Sequence, residues 1–288
     1  MRRISRRQFL IGAGMAIGTP AAAATWGYDP DRLEVTRHRV VVPALAEQML
    51  AVQVSDLHAD RAGSCSATLR ERVAARVRLL EPDLIFATGD FITRPGDAID
   101  EAVAWVAGLE ARLGRYAVLG NHDPAGVGLA LEAAGVEVLE NSWTSVRGLN
   151  LAGVGDLGRG PHRPREALAG IPQGAGTILL AHQPDSFWAY QRPVTLQLSG
   201  HTHGGQVTLM GAYPLPRLMP RLQEAMAHIP ELDRLARRKF QQTRRGAWSG
   251  FFRRPDGSSL YVNRGLGRFK RISFYCAPEL TVWDLVPG

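Results

Sequence analysis

Asp56-Leu57-His58, Gly89-Asp90, Gly120-Asn121-His122-Asp123, Ala181-His182 and Gly200-His201-Thr202-His203 concentrate the side chains that bind divalent metals. Each follows a short apolar run, at 50–54, 84–87, 116–119, 178–181 and 196–198. Runs of that kind read as buried strands. Carboxylates, an amide and imidazoles are therefore expected at the ends of neighbouring strands, where one sheet edge can hold them against the same ions. A thiolate-free set of Asp, Asn and His suits borderline divalent metals such as manganese, iron or zinc. A set of this size points to two ions rather than one.

The elements that must position these residues alternate in the first half of the chain. Leu69, Val73, Val77 and Leu80 recur at the spacing of an amphipathic helix, and Pro82 lies just beyond. Helices are also expected at 98–113 and 127–134. After Gly135 the texture changes to short β segments at 136–139, 144–146, 149–154, 207–210, 260–263 and 280–286. A βαβ beginning followed by mostly β structure predicts a single α/β domain of two packed sheets with helices outside. Gly89, Gly120 and Gly200 are expected to let the backbone turn tightly at strand ends.

The chain has 288 residues and a net charge of +7, and the charge is local. Arg2, Arg3, Arg6 and Arg7 carry part of it, and residues 217–254 hold ten Arg and Lys against three acids. The remainder is net acidic, so no nucleic-acid partner is expected. Cys65 and Cys276 are too few for a disulfide scaffold and lie outside any CxxC pattern, so they read as two isolated thiols.

Residues 1–24 read as an export signal. Ser5-Arg6-Arg7-Gln8-Phe9-Leu10 precedes a mildly apolar stretch ending in Ala21 to Ala24. The paired arginines resemble a bacterial twin-arginine signal, which implies the twin-arginine translocation machinery as a partner and a location in the periplasm or on the outer face of the cytoplasmic membrane. The apolar stretch is short for a spanning helix. Residues 25–47 form a lead-in with a first strand, and 48–288 form the main domain. Within that domain, 211–256 is a basic, proline-punctuated insertion with two short amphipathic patterns. Either it lies on an anionic membrane surface, or it is a solvated insertion packing its apolar face on the core.

The five segments, in this order and separated by 34, 31, 61 and 19 residues between Asp56, Asp90, Asn121, His182 and His201, resemble the calcineurin-like metallophosphoesterase superfamily. The run Gly200-His201-Thr202-His203-Gly204-Gly205-Gln206 is similar to its exported or membrane-associated bacterial branch. The resemblance implies a four-layer α/β/β/α sandwich of two mixed sheets. It also implies a phosphodiester or pyrophosphate substrate, lipid-linked in some relatives. Asp56, His58 and His203 would bind one metal and Asn121, His182 and His201 the other, with Asp90 bridging through both oxygens. A water bridging the metals would attack phosphorus. His122 would serve the leaving oxygen as a non-ligand catalytic residue, with Asp123 as the carboxylate that orients it.

Asp156, after the 149–154 run, reads as a structural residue that could face the site. His38, His162 and His228 read as surface residues, and nothing is drawn from Thr93. The basic residues of 264–271 read equally as a substrate contact and as a solvated loop. Two other functions compete. One is an exported membrane- or wall-binding protein with incidental phosphatase activity. The other is a lipid enzyme similar to UDP-2,3-diacylglucosamine pyrophosphatases.

Overall fold

The computed structural model describes residues 29, 31–60, 64–94, 99–205, 208–209, 213–214, 243, 245–267 and 276–288. Residues 1–24, expected as an export signal, His228 and both amphipathic patterns of the insertion lie outside these residues. Among the described residues no helix is long and apolar enough to cross a membrane.

Two six-stranded mixed sheets pack face to face. The first runs β1 (Glu34–Val42), β14 (Glu279–Pro287), β2 (Met49–Val54), β3 (Leu84–Ala87), β4 (Gly114–Ala117) and β5 (Glu137–Val138) across its width. The second runs β12 (Gly250–Arg253), β13 (Ser259–Val262), β9 (Leu196–Ser199), β8 (Thr177–Leu180), β7 (Leu149–Gly153) and β6 (Ser142–Val146). A two-residue pair, β10 (Thr208–Leu209) with β11 (Tyr213–Pro214), stands apart. Strands β2 to β5 are parallel, so helices must carry the chain back between them. Those helices are α1 (Ala67–Leu80), α2 (Ile99–Ala107) and α3 (Ala125–Ala133).

Burial explains the pattern. Every residue of β3 and β8 is buried, as expected of strands covered on both faces. Met49, Phe86, Leu151, Leu180, Leu198 and Trp283 fill the space between the sheets. Helix α1 buries Leu69, Val73 and Val77 against the outer face of the first sheet, each contributing roughly 1.5–3 kcal/mol. Ser66 caps it by accepting the Leu69 amide at 3.0 Å. Among the described residues, α4 (Pro164–Ala167), a 3-10 turn at Pro184–Trp188 and the buried Ala247 cover the outer face of the second sheet.

Two boundaries moved. The helix expected to reach residue 113 stops at Ala107. The Arg112 and Leu113 amides bond the carbonyls of Pro82 and Asp83 instead, which draws the chain alongside the start of β3. At the end of the basic insertion, Gly250–Arg253 forms an edge strand on β13, and Trp248 is buried. The apolar residues there belong to the second sheet.

Candidate metal centre

The five segments follow β2, β3, β4, β8 and β9, the first three strands in one sheet and the last two in the other. The sheets end at the same edge, and that brings residues from 56 to 203 together. Asp56, His58 and His203 place one ligand atom each within 4.8 Å of one another, and Asp90, His182 and His201 do the same. Asp56, His58, Asp90, His182 and His203 are buried. Asn121, His122 and His201 are half-buried and line the open side.

The two groups meet at Asp90. Its Oδ2 lies 3.5 Å from His58 Nε2 and 3.3 Å from His182 Nε2, while its Oδ1 accepts the His122 amide at 2.9 Å. Oδ2 therefore faces both groups. His58 Nε2 and His203 Nε2 are 3.0 Å apart, and His203 Nε2 is 3.4 Å from Asp56 Oδ1. In the second group, His182 Nε2 lies 3.2 Å from both Asn121 Oδ1 and His201 Nδ1.

Backbone carbonyls choose the tautomers. His182 Nδ1 is 2.8 Å from the Thr88 carbonyl and His203 Nδ1 is 3.1 Å from the Gly267 carbonyl. A carbonyl only accepts, so both Nδ1 atoms carry protons and both Nε2 atoms face the cluster. Against its burial, the Asp90 carboxylate holds the His182 imidazole well above its ordinary value, so a cation there takes the place of a proton on Nε2. Burial pushes the His58 and His201 imidazoles down to about 4 and about 3, so both are neutral donors at pH 7. Burial also penalises a charge on Asp90, but the His182 and His58 imidazoles outweigh it and hold that carboxyl well below the usual range. Convergent imidazole lone pairs around a buried carboxylate fit divalent cations of borderline hardness.

The backbone is strained where the donors sit. Asp56, His58, Asp90, His201 and His203 all have positive φ, between 47° and 71°. Such conformations cost non-glycine residues roughly 1–3 kcal/mol each and cluster at functional sites. The glycines act differently from one another. Gly89 has φ +89° and is needed for its turn. Gly120 and Gly200 are needed for space: a Cβ on Gly120 would overlap Asp90 Oδ1, and one on Gly200 would overlap Ser55 Oγ and Asp56 Oδ2.

Asp123 differs from the expectation in what it touches. Its oxygens accept the amides of Asp90 at 2.7 Å, Phe91 at 2.8 Å, Ile92 at 3.2 Å and Gly120 at 2.9 Å. It ties the loop after β3 to the loop after β4. Burial and the Asp90 charge push its carboxyl up to about 7, against the amides of Gly120 and Ile92. The group on His122 Nδ1 is the Thr93 carbonyl, at 2.7 Å.

Other supports were equally unreadable. Ser55 Oγ donates to Asp56 Oδ2 at 2.6 Å. Arg264, in the basic stretch after β13, pairs with the buried Glu279 at 3.1 Å and with Glu34. It steadies the loop whose Gly267 amide bonds the Asp56 carbonyl. His38 is packed among Phe251, Tyr261 and Trp283. His162 turns Nδ1 to the Gly155 carbonyl at 2.8 Å. Neither is a plain surface residue. Cys65 and Cys276 are separate, buried thiols.

This fold and donor set define a metallophosphoesterase. The chain belongs to that family: residues 49–205 match the model for calcineurin-like phosphoesterases. It is 30% identical to the uncharacterized metallophosphoesterase YkuE of Bacillus subtilis, over 99% of both chains. It is 29% identical to the phosphodiesterase YaeI of Escherichia coli, over 98% of this chain and 100% of that one. It is 27% identical to the UDP-2,3-diacylglucosamine pyrophosphatase LpxG of Chlamydia trachomatis, over 94% and 95%.

Proposed function

We propose that the protein hydrolyses a phosphodiester or pyrophosphate with two divalent cations, one in each donor group, outside the cytoplasmic membrane. The observation that carries this reading is the position of Asp90 Oδ2 between His58 and His182. A shared carboxylate offsets repulsion between neighbouring dications. Bound there, the two cations would supply an activated water and positive charge for the phosphoryl oxygens.

The chain's own residues do the rest. Asp56, Asp90 and Asn121 offer oxygens, and His58, His182, His201 and His203 offer nitrogen lone pairs. The Thr93 carbonyl holds the Nδ1 proton of His122, which leaves Nε2 to face the leaving oxygen; Nε2 would donate to it from the doubly protonated ring. Asp123 holds the two loops that carry Asp90 and Asn121. Export rests on the arginine pair and apolar stretch of 5–24. The basic composition of 217–254 supports peripheral contact with an anionic membrane. A lipid-linked pyrophosphate is the second reading, favoured by the likeness to LpxG.

The test is metal-dependent cleavage of bis(p-nitrophenyl) phosphate. Asp90→Ala and His201→Ala should each abolish it, and a chelator should do the same to the unaltered protein until manganese is returned. Full activity in either variant would sink the assignment. Export is tested separately: Arg6→Lys with Arg7→Lys should leave the protein in the cytoplasmic fraction.

A further inference from the structure

We propose that Asp156 supplies the Asp90–Asn121–His182–His201 group with an additional anionic oxygen. This inference rests on reading the two donor groups as cation sites.

The two groups are unequal in charge. The first has a carboxylate of its own, Asp56, and a share of Asp90. The second has its share of Asp90 and no other carboxylate among its donors, which are otherwise an amide and two imidazoles. A dication held there is less compensated than its neighbour, by a whole carboxylate. Asp156 stands where that charge is missing. It follows β7 in the second sheet, beside the end of β8 that carries His182. Its Oδ1 accepts the Gly158 amide at 2.7 Å and Gln183 Nε2 at 3.1 Å, and Gln183 directly follows His182.

Gly158 shows how close these groups lie. A Cβ there would be 3.2 Å from Asp156 Oδ1, 3.2 Å from Gln183 Nε2 and 3.8 Å from Asn121 Cβ. The Asp156 carboxyl therefore touches the loop that presents His182, and Gly158, which it holds, lies against Asn121.

Asp156 Oδ2 is the unusual atom. The residue is 6% exposed, and Oδ2 has no hydrogen-bond partner among the described residues. Folding leaves such an atom unpaired only at a cost, larger for a charged group than for a neutral one. A cation in the adjacent group would remove that cost. Burial raises the Asp156 carboxyl, while His182 nearby favours its charged form and Asp90 opposes it. Asp156 acts through the cation site and not on the reacting atoms, so it is a positioning residue.

The experiment reads manganese binding by calorimetry and electron paramagnetic resonance, without turnover. His58→Ala weakens the first group and His201→Ala the second, so each background isolates the other site. Asp156→Asn keeps the shape and can still accept from Gly158 and Gln183. It should lower manganese affinity roughly 10–100-fold in the His58→Ala background, the range for residues that support metal ligands. It should change affinity less than about 3-fold in the His201→Ala background, where only the other group is read. The metal-free melting temperature should hold or rise, because a buried unpaired carboxylate becomes a neutral amide. Asp156→Ser repeats the comparison if the amide disturbs the loop. Equal affinities with and without the substitution in the His58→Ala background, or equal losses in both backgrounds, would overturn the proposal. Uptake of a single manganese ion by the unaltered protein would refute the two-ion reading instead, and the substituted His58→Ala background would still decide the role of Asp156.

Discussion

Asp123→Asn separates two roles for the residue that follows His122. The substitution keeps size and shape but turns one oxygen into a donor. Oδ1 accepts Phe91 and Ile92, and Oδ2 accepts Asp90 and Gly120. Whichever way the amide settles, two of the four backbone donors face another donor. At about 1–3 kcal/mol for each buried group left unpaired, the loss is about 2–6 kcal/mol. That is a large share of the roughly 5–15 kcal/mol that holds a typical fold. Urea unfolding of the metal-free protein, followed by circular dichroism, measures it directly. His122→Asn provides the contrast, because it removes one half-buried hydrogen bond worth about 1 kcal/mol. In a double-mutant cycle on turnover, the two substitutions should act independently. A metal-free stability within about 1 kcal/mol of wild type, with turnover losses that fail to add, would refute the clamp and show Asp123 working through His122.

Further outcomes follow from the same geometry. Glu279 is held below the usual carboxylate range because Arg264 and the hydroxyls of Tyr261 and Thr36 outweigh its burial. A depressed folded value means its stabilisation is present above the unfolded value of about 4.3 and is lost as pH falls through the folded one. Glu279→Gln should therefore lower stability at pH 7 by about 3–5 kcal/mol, the loss expected when a buried pair is broken. The variant should also show a flatter acid limb in pH-dependent thermal melts, and an unchanged limb would contradict the assignment. Gly200→Ala should disrupt manganese binding, since its Cβ displaces Ser55 and Asp56; normal affinity would mean the strand end yields freely. Ser55→Ala removes the bond to Asp56 Oδ2 and should weaken the first ion by about 1.5–3 kcal/mol, the worth of a hydrogen bond to a charged group. Calorimetry reads that loss against cation binding at the Asp90–His182–His201 group as an internal control.

Much of the centre is visible in the chain because its signals are local. A ligand immediately after an apolar run marks a strand end, and five of them in order mark one edge of a sheet. Helix α1 is equally visible, since its buried residues recur with the helical period. What supports the ligands is not visible in that way. The carbonyls of Thr88, Thr93 and Gly267 orient His182, His122 and His203, and a carbonyl belongs to every residue type. Strand β12 was hidden because its residues alternate exposed and half-buried at a sheet edge.

The sequence by itself determined the donor set, the alternation of strands and helices and the family, because all three depend on residue types at short spacings. Only the tertiary structure decided how the donors are arranged. Asp90 Oδ2 faces both groups, Asp123 binds backbone amides rather than a histidine, and Asp156 is buried beside the group with fewer carboxylates. Each of these depends on where loops from two sheets converge. Hydrogen bonds and burial there are set by distances across the fold, between residues as far apart as Asp56 and Gly267.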